Sequence, residues 1–280
     1  MRRGRILIAL VIAAVGGLFY YCNTQVNPVT GEKQRVALSP EQEAALGVQA
    51  APQMAAEFGG LHPDTALQSY VERMGEEIVA RSAAKGSGYS YDFHVLRDPE
   101  TVNAFALPGG QIFITAALLG RLENAGQLAG VLGHEIGHVV GRHSAEHLAK
   151  AQLTQVLVGA AGVAGSSEDS NGRQAAAVAA IVGQLVNMRF GRADELESDR
   201  FGVRFMSEAG YDPRALKEVM RILAESGGGS PRPEFLSTHP DPGNRLQEIE
   251  AEIARLFPTG VPAELTGGAD AEFPQIRARL

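Results

Sequence analysis

The chain contains a single cysteine and no tryptophan among its 280 residues. One cysteine excludes an internal disulfide framework and any metal site built from several thiolates. The chain also lacks a basic excess, since 25 lysine and arginine residues stand against 32 aspartate and glutamate residues. Three of the arginines lie in the first 22 residues, so the remainder is more acidic than the formal charge of −7 suggests. This balance disfavours nucleic acid as the main partner.

A long hydrophobic run is also missing, because the longest uncharged apolar segment covers only residues 6–21. Three arginines precede it, which is the pattern of an export signal. As a helix, sixteen residues reach about 24 Å, short of the ~30 Å hydrocarbon core. Residues 1–22 are therefore predicted to be a cleaved signal or a short anchor with membrane contact through residues 6–21. Cys22 stands where a lipid-modified cysteine would lie, but bulky Tyr21 precedes it. We expect an exported protein, periplasmic or membrane-anchored and facing the periplasm.

The rest of the chain has a globular composition, with 45% hydrophobic and 20% charged residues. Helical patterns dominate, and the strand patterns are short. We predict an α+β fold, predominantly helical, with a small antiparallel sheet. Residues 23–257 would form one domain and 258–280 a tail. The predicted helices include 64–84, 122–149, 192–209 and 243–256. The predicted strands are 89–96, 103–107 and 111–115. We also predict a helical hairpin, formed by 151–164 and 175–188, whose mobile connecting segment, 165–173, would gate access to the site.

The chemistry of the sequence is concentrated in His134-Glu135-Ile136-Gly137-His138, an H-E-x-x-H pattern. On a helix the two histidines lie one turn apart on the same face, so both imidazoles can bind one zinc ion. Glu135 lies about 100° further round the helix, where it can act as general base on a metal-activated water. The pattern therefore predicts a metal-dependent hydrolytic site.

Glycines recur along the same helix at positions 130, 133, 137 and 141. Each glycine costs a helix about 0.5–1 kcal/mol relative to alanine. Something must offset that cost, and the close approach of another backbone along the stripe would do so. The stripe therefore predicts that a second element packs tightly against the motif helix.

A third metal ligand must come from elsewhere, because catalytic zinc takes three protein ligands and keeps an open position. Glu195 and Asp199 are four residues apart on one predicted helical face, which Gly202 continues. One carboxylate can bind the metal while the other orients a ligand histidine. Gly202 would then pack against the glycine stripe. Glu197 is interpreted as part of a solvated acidic face.

A competing motif lies in the same predicted helix, because residues 143–147 match the inverted pattern H-x-x-E-H. On a straight helix His143 and His147 would point about 180° and 220° away from His134. The two motifs therefore cannot serve one metal. The first is preferred because apolar neighbours bury it, whereas the polar neighbours of His143 suit an exposed helix end.

Taken together, these motifs resemble the gluzincin metallopeptidases of the CAAX-prenyl-protease and HtpX type, closest to their exported bacterial members. The resemblance spans about residues 27–250. Several segments carry it, and together they are far more specific than the H-E-x-x-H pattern alone. They are residues 27–31 (NPVTG), 103–110 (NAFALPGG), 134–143, 192–202 and 237–240 (STHP) followed by Arg245. A serine at position 198, where family members often have alanine, leaves the spacing intact.

The resemblance implies a zincin-like fold and a role for each site residue. It implies one Zn²⁺ held by His134, His138 and Glu195, and a supporting or proton-donating Asp199. His239 would face the zinc, either capping it at rest or stabilising the oxyanion, and Arg245 would support it or steady the oxyanion. A strand at the edge of the site would bind an extended peptide by strand addition, and it comprises Gln111, Ile112, Phe113, Ile114 and Thr115.

Two functions are consistent with the sequence. The first is an exported zinc endopeptidase acting on unfolded or misassembled polypeptides, with envelope and outer-membrane proteins as expected substrates. The alternative is a zinc-stabilised chaperone or assembly factor with little proteolysis, in which His239 closes the zinc shell permanently. A membrane-embedded prenyl-protein protease is disfavoured, since it would need several long apolar spans.

Overall fold

The structure is a computed structural model that describes residues 2–163, 184–185, 188–225, 234–240, 243–265 and 270–280. The segment predicted to gate the site, 165–173, lies outside the described residues, as does most of the second apolar stretch at 175–188. Both predictions therefore remain untested.

Helices make up most of the described chain, as predicted, and the strands are short. The helices are α1 (Arg2–Cys22), α2 (Pro40–Glu57), α3 (Thr65–Arg81), α4 (Ala116–Arg121), α5 (Ala125–Val140), α6 (His143–Val163), α7 (Arg192–Glu208), α8 (Arg214–Glu225), α9 (Glu234–Thr238), α10 (Arg245–Leu256) and α11 (Phe273–Arg277). The strands are β1 (Thr24–Val26), β2 (Lys33–Arg35), β3 (Asp92–Leu96), β4 (Ala104–Ala106) and β5 (Gln111–Thr115).

Local sequence signals set several helix starts. The Ser39 hydroxyl accepts a hydrogen bond from the Gln42 backbone, and the Gln42 side chain accepts one from the Ser39 backbone, which forms a capping box. Asp64 caps α3 in the same way, by accepting from the backbone of Ala66 and Leu67. These caps satisfy N–H groups that lack a partner within the helix, and the start predicted at residue 64 is confirmed.

The three-stranded sheet is mixed rather than purely antiparallel, which corrects the predicted sheet. Its order is β3-β5-β4, with β5 antiparallel to β4 and parallel to β3. The turn at residues 107–110 reverses the chain between β4 and β5, as predicted. After β3 the chain leaves a gap of one strand before β4, and β5 then fills that gap between β3 and β4. β1 and β2 form a separate antiparallel pair.

The predicted helix 122–149 is broken in two at Arg142, which corrects the assumption of a straight helix. Arg142 adopts a left-handed conformation with φ of 56°, which is uncommon for a residue other than glycine. Its buried guanidinium donates to the Glu43 carboxylate, to Gln25 Oε1 at 2.9 Å and to the Leu38 carbonyl at 3.0 Å. These contacts come from residues about a hundred positions earlier in the chain and hold α6 at an angle to α5.

The N-terminal segment also caps the end of the motif helix. The Asn27 side chain donates to the Val140 carbonyl at 2.6 Å, and the Gln34 side chain donates to the Gly141 carbonyl. The last carbonyls of a helix lack partners within it. The two amides supply those partners, so the segment around β1 and β2 fixes the C-terminal end of α5.

Glycines bring the backbones of α5 and α7 into contact, as the glycine stripe predicted. A Cβ atom at Gly133 would lie 3.3 Å from the Gly202 Cα, and one at Gly137 would lie 3.0 Å from the Ser198 carbonyl oxygen. Gly130 instead faces Leu216 on α8. Any larger side chain at these sites would push the two helices apart, so the glycines set the separation of α5 and α7.

The C-terminal tail packs onto the main core, although the sequence there is weakly patterned. Phe273 is buried against Tyr70 of α3, with 6.1 Å between ring centroids, and Ile276 is also buried. The Tyr70 hydroxyl donates to Asp270 at 2.6 Å. Residues 270–280 therefore belong to the same core as the preceding domain.

At the opposite end of the chain, α1 lies against α6 and leaves many large apolar side chains exposed, among them Ile6, Leu7, Leu10, Val15 and Leu18. The two helices and β2 enclose an apolar cavity of about 420 Å³ that is remote from the motif residues. None of the helices that the structure describes combines the length and the apolar character needed to cross a membrane.

We expect Gly137→Ala to destabilise the metal-free protein by about 1–3 kcal/mol, because the new methyl group would meet the Ser198 backbone. The same change at an ordinary helical site stabilises by about 0.5–1 kcal/mol. Gly120→Ala on α4 is the control, since its methyl group would make only ordinary contact with Leu280 at 3.5 Å. Urea unfolding in the presence of a chelator measures the free energy of unfolding of both variants. If Gly137→Ala were as stable as Gly120→Ala, the tight packing of α5 on α7 would be contradicted.

Candidate metal centre

Four buried side chains bring one potential ligand atom each to a common point, and these atoms all lie within 4.8 Å of one another. His134 and His138 come from α5, Glu195 comes from α7, and His239 follows α9. The two α5 imidazoles approach to 3.1 Å between their Nε2 atoms. The structure thus brings together the two histidines and the distant carboxylate that the sequence singled out.

Four of the separations between these atoms are close to those around a tetrahedral ion, and the whole set lies within 4.8 Å. Zinc bound at about 2.0–2.1 Å needs ligand atoms about 3.3–3.4 Å apart. His138 Nε2 lies 3.5 Å from Glu195 Oε1, and His239 Nδ1 lies 3.0 Å from Glu195 Oε1 and 3.4 Å from His134 Nε2. Three imidazole nitrogens and one carboxylate oxygen are also a donor set that divalent transition metals accept.

Asp199 contacts His134 on the side of the ring that faces away from the cluster. Its Oδ1 atom lies 3.0 Å from His134 Nδ1, the ring nitrogen that faces away from the cluster. A carboxylate in this position accepts the Nδ1 proton and leaves Nε2 free to bind a metal. This geometry favours the supporting role for Asp199 over the proton-donating one.

Arg245 is placed differently from the expectation. Its Nε and Nη2 atoms each donate to Asp199 at 2.7 Å, and Nη1 lies 3.0 Å from Glu195 Oε2. The guanidinium is buried, and its Nη2 atom also lies 3.5 Å from His134 Nδ1. Arg245 thus links Glu195 and Asp199 beside His134, and these contacts favour a supporting role for Arg245 over the oxyanion role.

The electrostatics follow from burial and from these pairs. Burial alone would raise the pKa of Glu195 and Asp199, but the neighbouring cationic groups outweigh it and hold both pKa values below their usual range. Burial lowers the pKa of His138 well below its ordinary value. Burial would also lower the pKa of His134, yet its hydrogen bonds to Asp199 and Glu195 raise it to about 9. Both carboxylates are therefore ionised at neutral pH, and the metal-free cluster retains a proton on His134.

Glu135 stands beside the cluster without a partner of its own. Among the residues that the structure describes, neither of its buried carboxylate oxygens has a hydrogen-bond partner. The His239 Nε2 atom lies 3.8 Å from Glu135 Oε1. Burial raises the pKa of the carboxyl group. A buried, unpaired carboxylate next to a ligand cluster is placed to accept a proton there.

His239 is fixed at the cluster by α9. Its backbone N–H donates to the Phe235 carbonyl at 2.7 Å, and its ring stacks on the Phe235 ring at 4.4 Å between centroids. The Phe235 N–H in turn donates to the Val102 carbonyl, just before β4. His239 therefore lies among the potential ligand atoms, and its position relative to β4 is held by main-chain bonds.

The strand Gln111–Thr115, which was predicted to lie at the edge of the site, is instead the central strand of its sheet. Both of its edges are hydrogen-bonded, so it cannot accept a peptide by strand addition. The outer strand on this side is β4. Because Asn103 and Leu107 bond to β5, the alternation of a strand turns the N–H and C=O groups of Ala104 and Ala106 away from it.

The outer side of β4 borders a narrow cleft of about 40 Å³ that His239 also lines. Leu185, Met188 and Phe190 also line this cleft. The Asn103 Oδ1 atom, which also faces it, is buried and has no hydrogen-bond partner in the described part of the chain. The cleft is too small for an extended peptide in this state.

Sequence reasoning missed two contacts at the cluster. The Phe190 ring stacks on His138 at 4.0 Å between centroids, and nothing in the pattern before α7 identified it. His143 was assigned to an exposed helix end, but it is buried, and its Nδ1 atom lies 2.9 Å from His138 Nδ1. The break at Arg142 explains the second error, because it turns His143 back towards α5.

Comparison with known proteins agrees with this geometry. The model of peptidase family M48 matches residues 65–253, which include every member of the cluster. The mitochondrial metalloendopeptidase OMA1 of Schizosaccharomyces pombe is 33% identical over 245 residues, which are 85% of this chain and 69% of that protein. The beta-barrel assembly-enhancing protease of Yersinia pestis is 31% identical over 237 residues, 82% of this chain and 48% of that protein.

The protein of the same name from Escherichia coli K12 is 31% identical over 201 residues, 70% of this chain and 40% of that protein. The chain thus spans less than half the length of these two bacterial relatives. The family model covers more than half of this chain and includes the H-E-x-x-H helix, Glu195 and His239. The chain therefore belongs to peptidase family M48 and is a metalloendopeptidase.

Proposed function

We propose that this protein is a zinc-dependent endopeptidase that hydrolyses peptide bonds in unfolded or misassembled proteins of the cell envelope. The observation that carries the proposal is the buried carboxylate of Glu135, which has no hydrogen-bond partner among the described residues, beside four potential ligand atoms within 4.8 Å of one another. In this assignment His134, His138 and Glu195 hold the zinc ion. Asp199 and Arg245 keep His134 and Glu195 in place.

The chain's own groups account for the proton transfers. When bound, a zinc ion would polarise the scissile carbonyl and lower the pKa of a coordinated water towards about 7. Glu135 is the general base, since burial makes its carboxylate more basic than an exposed one. The same carboxyl group then returns the proton to the leaving amine. Asp199 accepts from His134 Nδ1 throughout and keeps that ring in the tautomer that binds through Nε2.

His239 serves as a cap in the resting protein under this proposal. Its Nδ1 atom lies among the ligand atoms, at 3.0 Å from Glu195 Oε1 and 3.4 Å from His134 Nε2. A group that only stabilised an oxyanion would lie beyond the metal, about 2.7–3.1 Å from the substrate oxygen. The four-residue shell also fits the alternative of a zinc-stabilised assembly factor, because structural zinc sites are closed.

The substrate peptide would pair with the outer edge of β4 rather than with Gln111–Thr115. The main-chain groups of Ala104 and Ala106 face that edge, and the adjoining cleft leads to His239. Strand addition uses main-chain hydrogen bonds, which do not depend on the substrate's sequence. This mode suits a protease for unfolded chains, whose main-chain groups are unpaired.

The proposed location and substrates rest on sequence and similarity. The arginines before residues 6–21 match an export signal, and α1 exposes its apolar side chains for membrane contact. Two relatives are named for the assembly of beta-barrel proteins. We therefore propose an exported enzyme in the periplasm, free or anchored through residues 6–21, with envelope and outer-membrane proteins as substrates. Cys22 is exposed and would be available for lipid attachment.

We expect the purified protein to hold about one zinc ion per chain and Glu195→Ala to lose most of it, because the variant removes one of three ligands. Glu208→Ala is the control, since it removes an exposed carboxylate from the same helix. Elemental analysis after dialysis measures both. Full zinc retention in Glu195→Ala would contradict the ligand assignment.

We expect Glu135→Gln to abolish casein cleavage while zinc binding is retained, because the amide cannot accept the proton. A loss of about 10²–10⁴-fold is typical for a general base. Elemental analysis of the same sample distinguishes lost chemistry from lost metal. If wild-type protein with full zinc cleaves neither casein nor any peptide, the assembly-factor alternative is favoured.

We expect His239→Ala to increase casein cleavage several-fold, because it opens the fourth position of the shell. Loss of an oxyanion donor would instead lower kcat by about 10²–10³-fold. Thr238→Ala is the control, since it is adjacent in the chain and its hydroxyl donates to carbonyls within α9. Initial rates at saturating substrate decide between the two roles, and a large decrease would refute the cap.

A further inference from the structure

His143 and Glu197 continue the metal cluster behind His138. The His143 ring lies between His138 and Glu197. Its Nδ1 atom is 2.9 Å from His138 Nδ1, and its Nε2 atom is 3.3 Å from Glu197 Oε2. We propose that His143 and Glu197 form a positioning pair that fixes the tautomer and orientation of His138, and that they set the zinc affinity of the site. The inference rests on the proposed zinc site and assigns function to two residues outside the ligand set.

Proton placement leaves one consistent arrangement. A His138 ring that binds a metal through Nε2 carries its proton on Nδ1 and must donate it. The acceptor is then His143 Nδ1, which also lies 3.4 Å from the Ser198 hydroxyl, a group that can donate to it as well. This requires the His143 proton to be on Nε2. That N–H points at the Glu197 carboxylate. The second ligand histidine is thus supported through an intermediate imidazole, whereas His134 contacts its carboxylate, Asp199, directly.

The backbone around His143 makes room for this contact. A Cβ atom at Gly141 would lie 2.4 Å from His143 Nε2, so the ring can occupy its position only beside a glycine. Gly141 has an ordinary helical φ of −67°, which alanine also adopts. Its lack of a side chain is therefore explained by the His143 ring and not by backbone conformation. Of the four stripe glycines, Gly141 is the one that faces a histidine.

A neighbouring pair separates this role from simple helix packing. His147 and Asp194 also join α6 to α7, with 2.7 Å between Nε2 and Oδ2. His147 lies one turn after His143 on α6, and its contact with Asp194 does not involve a proposed ligand histidine. If the His143 contact only fastened two helices together, loss of the His147 contact would have a similar effect on metal binding. If it positions His138, only the His143 pair matters.

The test compares zinc affinity by chelator competition in His143→Phe, which keeps a ring but removes the acceptor, and in His147→Phe as matched control. We expect the first to bind zinc about 10–100-fold more weakly and the second to remain within about two-fold of wild type. His143→Asn, whose amide oxygen can accept from His138, should recover part of the loss. Gly141→Ala, which displaces the ring without touching a ligand, should weaken binding as His143→Phe does. Glu197→Ala should give a smaller loss in the same direction.

Two further measurements exclude a merely structural effect. Urea unfolding of the metal-free variants should give the same midpoint for His143→Phe and His147→Phe. With Co²⁺ in place of zinc, the visible absorption bands should change in His143→Phe and Gly141→Ala, and they should be unchanged in His147→Phe. If His143→Phe does not fold, the comparison of Gly141→Ala with Gly120→Ala decides.

Unchanged zinc affinity in His143→Phe, or an equal loss in His147→Phe, would overturn the positioning pair and leave the proposed function intact. A wild-type protein that binds no zinc would instead refute the proposed function, and the positioning role with it. The two failures are therefore distinguishable in one series of samples.

Discussion

The close contact between α5 and α7 is the constraint on which the rest of the site depends. Gly133 meets Gly202 and Gly137 meets Ser198 at distances that leave no space for a side chain. Because the helices touch at their backbones, the short carboxylate side chains of Glu195 and Asp199 reach both nitrogens of His134. The helix-forming cost of the glycines, about 0.5–1 kcal/mol each, is offset by this packing. Two helices at an ordinary separation of about 8–10 Å would hold the same groups too far apart.

The charges at the site favour a divalent cation. Glu135, Glu195 and Asp199 are buried together, and Arg245 lies against the last two. With all three carboxylates ionised, one guanidinium leaves two negative charges, which a divalent ion balances. The raised pKa of His134, about 9, shows the same demand, since the metal-free cluster draws in a proton to lower its negative charge. Metal binding must displace that proton, so apparent affinity rises with pH up to that value.

The sequence predicted the parts of this site that depend on local periodicity. The spacing of His134 and His138, the spacing of Glu195 and Asp199, and the glycine stripe all follow from 3.6 residues per turn, and the structure brings them together. The start of the helix at Asp64 is also predictable locally, because its carboxylate accepts from the first free N–H groups of the helix.

The errors have long-range causes. The break at Arg142 depends on Glu43, Gln25 and Leu38, far away in the sequence, so a helical pattern running through residue 149 could not reveal it. That break moved His143 from the predicted surface into the site. The position of β5 between β3 and β4 likewise depends on the path of the chain between strands. The local sequence of β5 does not identify the strands that hydrogen-bond to it on either side.

The cap and the proposed substrate edge are parts of one hydrogen-bonded unit. Phe235 carries His239 by ring stacking and by its carbonyl, and the Phe235 N–H is bonded to the Val102 carbonyl, two residues before Ala104. A peptide that pairs with β4 must enter the cleft that His239 already lines, which holds about 40 Å³. Under the proposed function, occupation of the β4 edge and retention of His239 as a cap would compete for the same space. A substrate that pairs with β4 would then release the cap, so a closed shell at rest would be compatible with catalysis.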